Sequence, residues 1–146
     1  MADFKIRIED HSGDVLRKLE RRKTAILEDC GQTAATHAKN IITRFSRVDT
    51  GAMRNSINHQ VQESESAVYI GTNDEKSVYH EYGTGIYLES DDGRQGRQTP
   101  WRYQDRDGNW HTTRGMKPIH MLKNSLDHFQ ADYKKIIKED LKEMEK

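Results

Sequence analysis

Apolar and polar residues alternate at the start of the chain, Phe4, Ile6 and Ile8 against Asp3, Lys5, Arg7 and Glu9. Period two is the mark of a half-buried strand, so a strand is expected over 3–9. After His11-Ser12-Gly13 the period lengthens. Leu16, Leu19, Ile26, Cys30, Ala34, Ala38, Ile41 and Phe45 follow one another in steps of three, four or seven, which predicts one amphipathic helix over about 14–46. Ser12 or Asp14 serves as its N-cap, and Gly31 is a weak point within it. Asp49-Thr50-Gly51 interrupts the period and reads as a turn. Beyond it, Ile57, His59 and Val61 alternate with Asn58, Gln60 and Gln62, and Val68 and Ile70 resume after a polar stretch, giving a hairpin across 56–71. Thr72-Asn73-Asp74 starts a short helix through Val78 and Tyr82, and Gly83-Thr84-Gly85 ends it.

Residues 89–99 are almost wholly polar with two glycines, too poor in apolar groups to offset the entropy of ordering, and predict a mobile loop. Trp101 and Tyr103 then alternate with polar neighbours, and Asp107-Gly108 before Trp110 and Thr112 signals a second hairpin. Pro118 opens a final helix with the stripe Ile119, Leu122, Leu126, Phe129, Tyr133, Ile136, Leu141 and Met144. The expected architecture is α+β: a small antiparallel sheet packed by two long helices, with a loop and hairpin protruding at about 88–115. The whole chain, 1–146, is expected to form one domain, fraying over 142–146.

Composition alters this picture in one respect. Hydrophobic residues are 33% of the chain, or about 40% with glycine added, against roughly 45–50% on that basis in ordinary domains, and charged residues are 33% against about 25%. A thin core with a charge-rich surface suits a protomer that gains burial from neighbours. Formal net charge is zero, which removes a global pull toward nucleic acid or anionic membrane. The single cysteine, Cys30, excludes an intramolecular disulfide and reads as a small buried group on the helix. The start of the chain lacks the apolar run of a signal peptide, and no stretch has the length of a membrane span, so a soluble cytoplasmic protein is expected.

Several motifs invite a catalytic or ligand-binding reading. Asp49-Thr50-Gly51 is the triplet of aspartic proteases, in which two carboxylates share one proton, so a chain with one triplet must dimerise. Here the triplet follows a helical pattern and leads into Met53-Arg54-Asn55-Ser56, and a turn accounts for all three residues: Asp49 accepts backbone N–H bonds, Thr50 caps, and Gly51 takes positive φ. Asp105, Asp107 and Asn109 have the alternate spacing of a calcium loop, but Gly108 falls too early and no Glu closes the set. Gly83-Thr84-Gly85 lacks the Lys-Ser/Thr of a phosphate loop. The seven histidines are scattered singly, without the i, i+4 pairing of a helical zinc site. No cofactor or metal is expected. One local charge excess remains: between Gly93 and Lys117, Arg94, Arg97, Arg102, Arg106, Arg114 and Lys117 outnumber Asp105 and Asp107 by four, with Trp101, Tyr103 and Trp110 interleaved. Such a segment contacts DNA or a protein partner.

Two motifs, in order, carry a resemblance. Val48-Asp49-Thr50-Gly51-Ala52-Met53-Arg54-Asn55-Ser56-Ile57 resembles the Val-Asp-Thr-Gly-x-Leu-Arg-x-Ser-Ile signature of tailed-bacteriophage neck and tail-completion proteins, with Met53 in place of Leu. Ile70-Gly71-Thr72-Asn73, followed by Tyr79-His80-Glu81-Tyr82-Gly83-Thr84-Gly85, resembles the second block of that family. Met116 to Leu122 sits where the family's Arg-Pro-x-Pro-Phe-Leu stretch precedes the last helix, with Ile119-His120-Met121 replacing the Pro-Phe element. The likeness spans about 48–126. It implies a non-enzymatic virion protein of the head-to-tail interface, made in the host cytoplasm, that forms a homo-oligomeric ring around the DNA channel beside head-completion and tail proteins. Asp49, Thr50, Gly51, Arg54, Tyr79, Glu81, Tyr82, Gly83 and Gly85 are then fold and interface residues. The alternatives kept beside it are a DNA-binding accessory protein using the 93–117 segment and a dimeric aspartic protease using Asp49.

Overall fold

The computed structural model describes residues 9–48 and 51–145. The strand expected over 3–9 lies outside them but for Glu9, and so do Asp49 and Thr50. Among the described residues the fold is α+β, five helices with two small antiparallel sheets, and the long first helix packs on the first of these sheets.

Helix α1 runs unbroken from Ser12 to Arg44, 33 residues, or about 50 Å at 1.5 Å per residue. Neither Ser12 nor Asp14 is its N-cap. His11 holds that position without a side-chain cap bond; the Asp10 carboxylate accepts the Ser12 N–H at 2.9 Å, and Asp14 pairs with Arg17 one turn on. The helix buries Ile26, Cys30, Gly31, Ala34, Ala35, Ala38 and Ile42. Leu16, Leu19 and Phe45, expected in the stripe, are exposed: the first two precede every buried position of the helix, and Phe45 follows its last turn. Ser46 takes a left-handed conformation (φ 54°), and the Arg47 N–H bonds the Ile42 carbonyl at 3.0 Å, closing the helix.

Gly31 is a contact point rather than a weak point. A Cβ there would lie 2.6 Å from Val68 Cγ2 and 2.7 Å from His59 Cδ2, so its bare backbone is what admits the first hairpin. That hairpin pairs β1 (Asn58–Gln62) with β2 (Ala67–Gly71), His59 opposite Ile70 and Val61 opposite Val68, through a 3₁₀ turn at Glu63–Glu65. The four residues of these two pairs are half-buried against α1, while Asn58, Gln60 and Tyr69 point to solvent.

Between α1 and β1 sits α2 (Ala52–Ser56), and after β2 comes α3 (Ser77–Tyr82). Helix α3 starts later than the Thr72-Asn73-Asp74 signal predicts, because those side chains bond locally: Thr72 Oγ1 accepts the Asp74 N–H at 3.0 Å and Asp74 accepts the Lys76 N–H at 2.9 Å. Residues 88–100 have no regular structure, yet at Gly96 they lie so close to Gly85 that a Cβ would stand 2.1 Å from the Gly85 carbonyl oxygen. Strands β3 (Trp101–Gln104) and β4 (Trp110–Thr113) form a separate sheet, Tyr103 opposite His111.

The expected last helix is two helices, α4 (Met121–Asp127) and α5 (Gln130–Met144), and Pro118 precedes both. The break falls at Phe129, whose ring stacks on His37 of α1 with centroids 3.6 Å apart. His37 also meets Asp132 at 3.0 Å, and the Tyr133 hydroxyl donates to the Ser125 carbonyl. These contacts turn the chain and supply a side-chain donor where the helical ladder stops. Helix α5 buries none of its residues; Ile137, Leu141 and Met144 remain exposed. Its tie to α1 includes Arg22, which reaches Asp140 at 2.9 Å and Glu143 at 2.8 Å.

The core lies where α1, α2 and α4 converge: Ala35, Ala38, Ile42, Met53, Ile57, Ile119 and Met121. Burying each of its large members contributes about 2 kcal/mol. No helix among the described residues is long and apolar enough to cross a membrane.

Candidate functional site

Helix α3 is short enough that its two faces have different tasks. Ser77 and Glu81, one turn apart, point inward and are buried, whereas Val78, Tyr79 and Tyr82 are 54%, 54% and 41% exposed. The buried carboxylate of Glu81 is satisfied by another helix: its oxygens accept the N–H groups of Leu122 at 2.8 Å and Lys123 at 3.0 Å. Those are orphan donors of the first turn of α4, where the helix dipole also favours a negative charge. His120, left-handed at φ 46°, begins α4 without a side-chain cap of its own, so Glu81 performs that role from 41 residues away.

Gly83 and Gly85 build the adjoining backbone contact. Thr84 N–H donates to the Met116 carbonyl at 2.9 Å, Ile86 N–H to the Arg114 carbonyl at 3.0 Å, and Met116 N–H to Thr84 Oγ1 at 2.9 Å. Gly85 has φ 61°, and a Cβ on it would stand 1.9 Å from the Arg114 carbonyl oxygen. The Gly-Thr-Gly stretch is a seam between two chain segments, with the Gly83 N–H engaged by the Tyr79 carbonyl and the Thr84 N–H by the Met116 carbonyl. Its neighbour His80 accepts the Ile119 N–H on its carbonyl at 2.8 Å. The His80 imidazole is held below its ordinary pKa by burial first and by the Arg47 guanidinium second, against a smaller opposing pull from Asp74.

In the first motif, Gly51 takes φ 83° and sits at the N-cap of α2, and the Asn55 N–H returns to its carbonyl at 2.8 Å. The Arg54 Nε donates to Thr43 Oγ1 on α1 at 2.9 Å, joining the short helix to the long one. Asp49 and Thr50 lie outside the described residues.

The basic-aromatic segment does not form one continuous surface of available charge. Arg94 pairs with Asp92 at 2.6 Å. Arg97 lies over Trp101 and bonds Thr99, and Arg102 lies over Trp110. Tyr103 stacks on His111, which in turn meets Asp105 at 2.7 Å. Asp105 also accepts the Asn109 N–H at 2.8 Å, so the would-be calcium loop is a hairpin connection, with Gly108 at φ 84°. Arg106, at the hairpin tip, lines a hollow to which Arg47 and Arg54 also contribute, while Arg114 offers its carbonyl to the glycine seam.

Long-range histidine pairings are invisible in one dimension: besides His37 with Asp132, His59 meets Glu28 and His120 meets Glu89, each at 2.6 Å. Among the described residues no group of three or more His, Cys, Asp and Glu side chains gathers to hold a metal ion. The chain matches no protein-family model, no curated protein and no solved structure.

Proposed function

We propose that the chain is a non-enzymatic structural protein of the tailed-phage head-to-tail interface, a protomer that closes into a ring around the DNA channel. The observation that carries this reading is the surface left uncovered. Large apolar side chains stand exposed in two places: Val78, Tyr79, Tyr82, Ile86 and Tyr87 around the glycine seam, and Val15, Leu16 and Leu19 along α1. Clustered apolar side chains on a surface are what a protein–protein contact covers. Heterologous contacts that close after a fixed rotation give a ring. The resemblance of 48–57 and 70–85 to neck and tail-completion proteins supplies the identity of that ring.

The test replaces exposed residues only. The double variant Val78→Ser, Tyr82→Ser is expected to keep the helical content of the parent chain and to leave heads and tails unjoined in particles assembled with it. Normal numbers of joined particles would overturn the proposal.

A further inference from the structure

A cleft of about 1020 Å³ opens between the end of α1, the start of α3 and the β3–β4 sheet. Three cations from separate parts of the chain line it: Arg47 after α1, Lys76 before α3, and Lys117 ahead of α4. So do four aromatic rings, Tyr79, Tyr87, Trp101 and Tyr103. An adjoining hollow of about 470 Å³ shares Arg47, Lys76, His80 and Tyr103 and adds Arg54 and Arg106. Among the described residues, Asp74 is the one carboxylate in either lining. A chain of zero net charge therefore gathers cations on one wall.

The wall is organised for a ligand with both charge and flat faces. Arg47 is fixed by donating to the Lys117 carbonyl at 3.1 Å, and Lys117 Nζ stands 5.7 Å from the Tyr87 ring centre. His80 has Nδ1 buried without a hydrogen-bond partner. Arg97 lies over one face of Trp101 and His111 over one face of Tyr103, and both rings also line the cleft. We infer that this cleft binds a single-stranded segment of nucleic acid, its phosphates at Arg47, Lys76 and Lys117 and its unpaired bases on the remaining faces of Trp101 and Tyr103. A cationic groove beside aromatic platforms is how sequence-independent single-strand binding is built. An acidic peptide would use the cations and leave the rings idle. A duplex keeps its bases stacked on one another, out of reach of the rings.

The site shares Trp101, Tyr103 and Lys117 with the 93–117 segment that the sequence singles out, but takes Arg47 and Lys76 from elsewhere in place of that segment's arginines; it is tested on the free chain, so it stands or falls apart from the assembly role. Trp101 and Trp110 are the two tryptophans, and Trp110→Phe leaves Trp101 as the reporter. An oligothymidylate of about 12 nucleotides is expected to quench Trp101 saturably, with a slope of log affinity on log salt of about −2 for three phosphate contacts. Lys76→Glu with Lys117→Glu, two exposed positions, should weaken binding at least about tenfold, while the Lys76→Arg, Lys117→Arg chain retains it. Arg94→Ala, which removes a cation paired with Asp92 outside both linings, should leave it unchanged. The inference is overturned by absence of quenching, by equal affinity for the duplex or for polyglutamate, or by loss of binding in the Arg94→Ala variant.

Discussion

Glu81 is the residue whose meaning the structure changes most. On its own sequence neighbourhood it reads as one acid among many, beside His80 and between two tyrosines. In the fold it is buried and holds the first turn of α4 through two backbone N–H groups. Charge-assisted bonds of this kind contribute about 1.5–3 kcal/mol each when the alternative is a buried donor without a partner. Glu81→Ala is expected to lower unfolding free energy by about 3 kcal/mol, and Glu81→Gln, which keeps one acceptor, by about half as much. Urea unfolding monitored by circular dichroism measures both. A loss below about 0.5 kcal/mol for the alanine variant, the range of unremarkable surface changes, would refute the capping role.

At the scale of elements, the contact between α1 and the first hairpin depends on an absent side chain. Alanine in place of a helical glycine normally gains up to about 1 kcal/mol. At Gly31 the new Cβ would meet Val68 and the His59 ring, and His59 is held in place by Glu28; such overlap costs about 1–3 kcal/mol. Gly31→Ala should therefore destabilise, and should destabilise less in a Val68→Ala background, where one of the clashing groups is gone. A double-mutant cycle by thermal unfolding reads the coupling, and additivity would show that the two positions do not touch. The junction of α4 and α5 gives a pH prediction. Burial pushes the Tyr133 phenol up to about 12, with Asp132 adding to the shift. A group whose folded pKa is raised contributes stability that is complete below its unfolded value, near 10, and is lost as pH rises toward about 12. Stability should thus fall between those values in the parent chain, and the part of the fall due to Tyr133 should vanish in Tyr133→Phe. Identical alkaline profiles for the two chains would refute it.

These elements also mark how far the sequence is legible. Period-two and period-three-to-four patterns locate α1 and both hairpins because each rests on local spacing. The same spacing runs straight through Phe129, since the cause of that break, the stack on His37, is 92 positions away and leaves no mark in the local period. Helix α3 starts late for a related reason: Thr72 and Asp74 bind nearby N–H groups of their own, a competition that capping signals do not reveal. For the candidate site, Gly51 and Gly85 announce their positive φ by residue type. The partners of Glu81 and the grouping of Arg47, Lys76 and Lys117 come from tertiary folding alone.

The molecule as a whole has a small core, one helix longer than that core can cover, and an apolar rim around the Gly-Thr-Gly seam. Its motif residues hold it together, Glu81 as a remote cap and Gly83 and Gly85 as a close backbone seam, and the groups beside them, Tyr79 and Tyr82, face outward. That division of labour fits a protomer whose stability is completed by its neighbours. Under the proposed role in assembly, loss of the chain should leave the other components intact but unconnected. The most direct measurement is electron microscopy of phage particles produced with and without this protein. DNA-filled heads and separate tails in its absence, joined again when it is restored, are the expected result; particles that attach tails normally without it would contradict the proposed role.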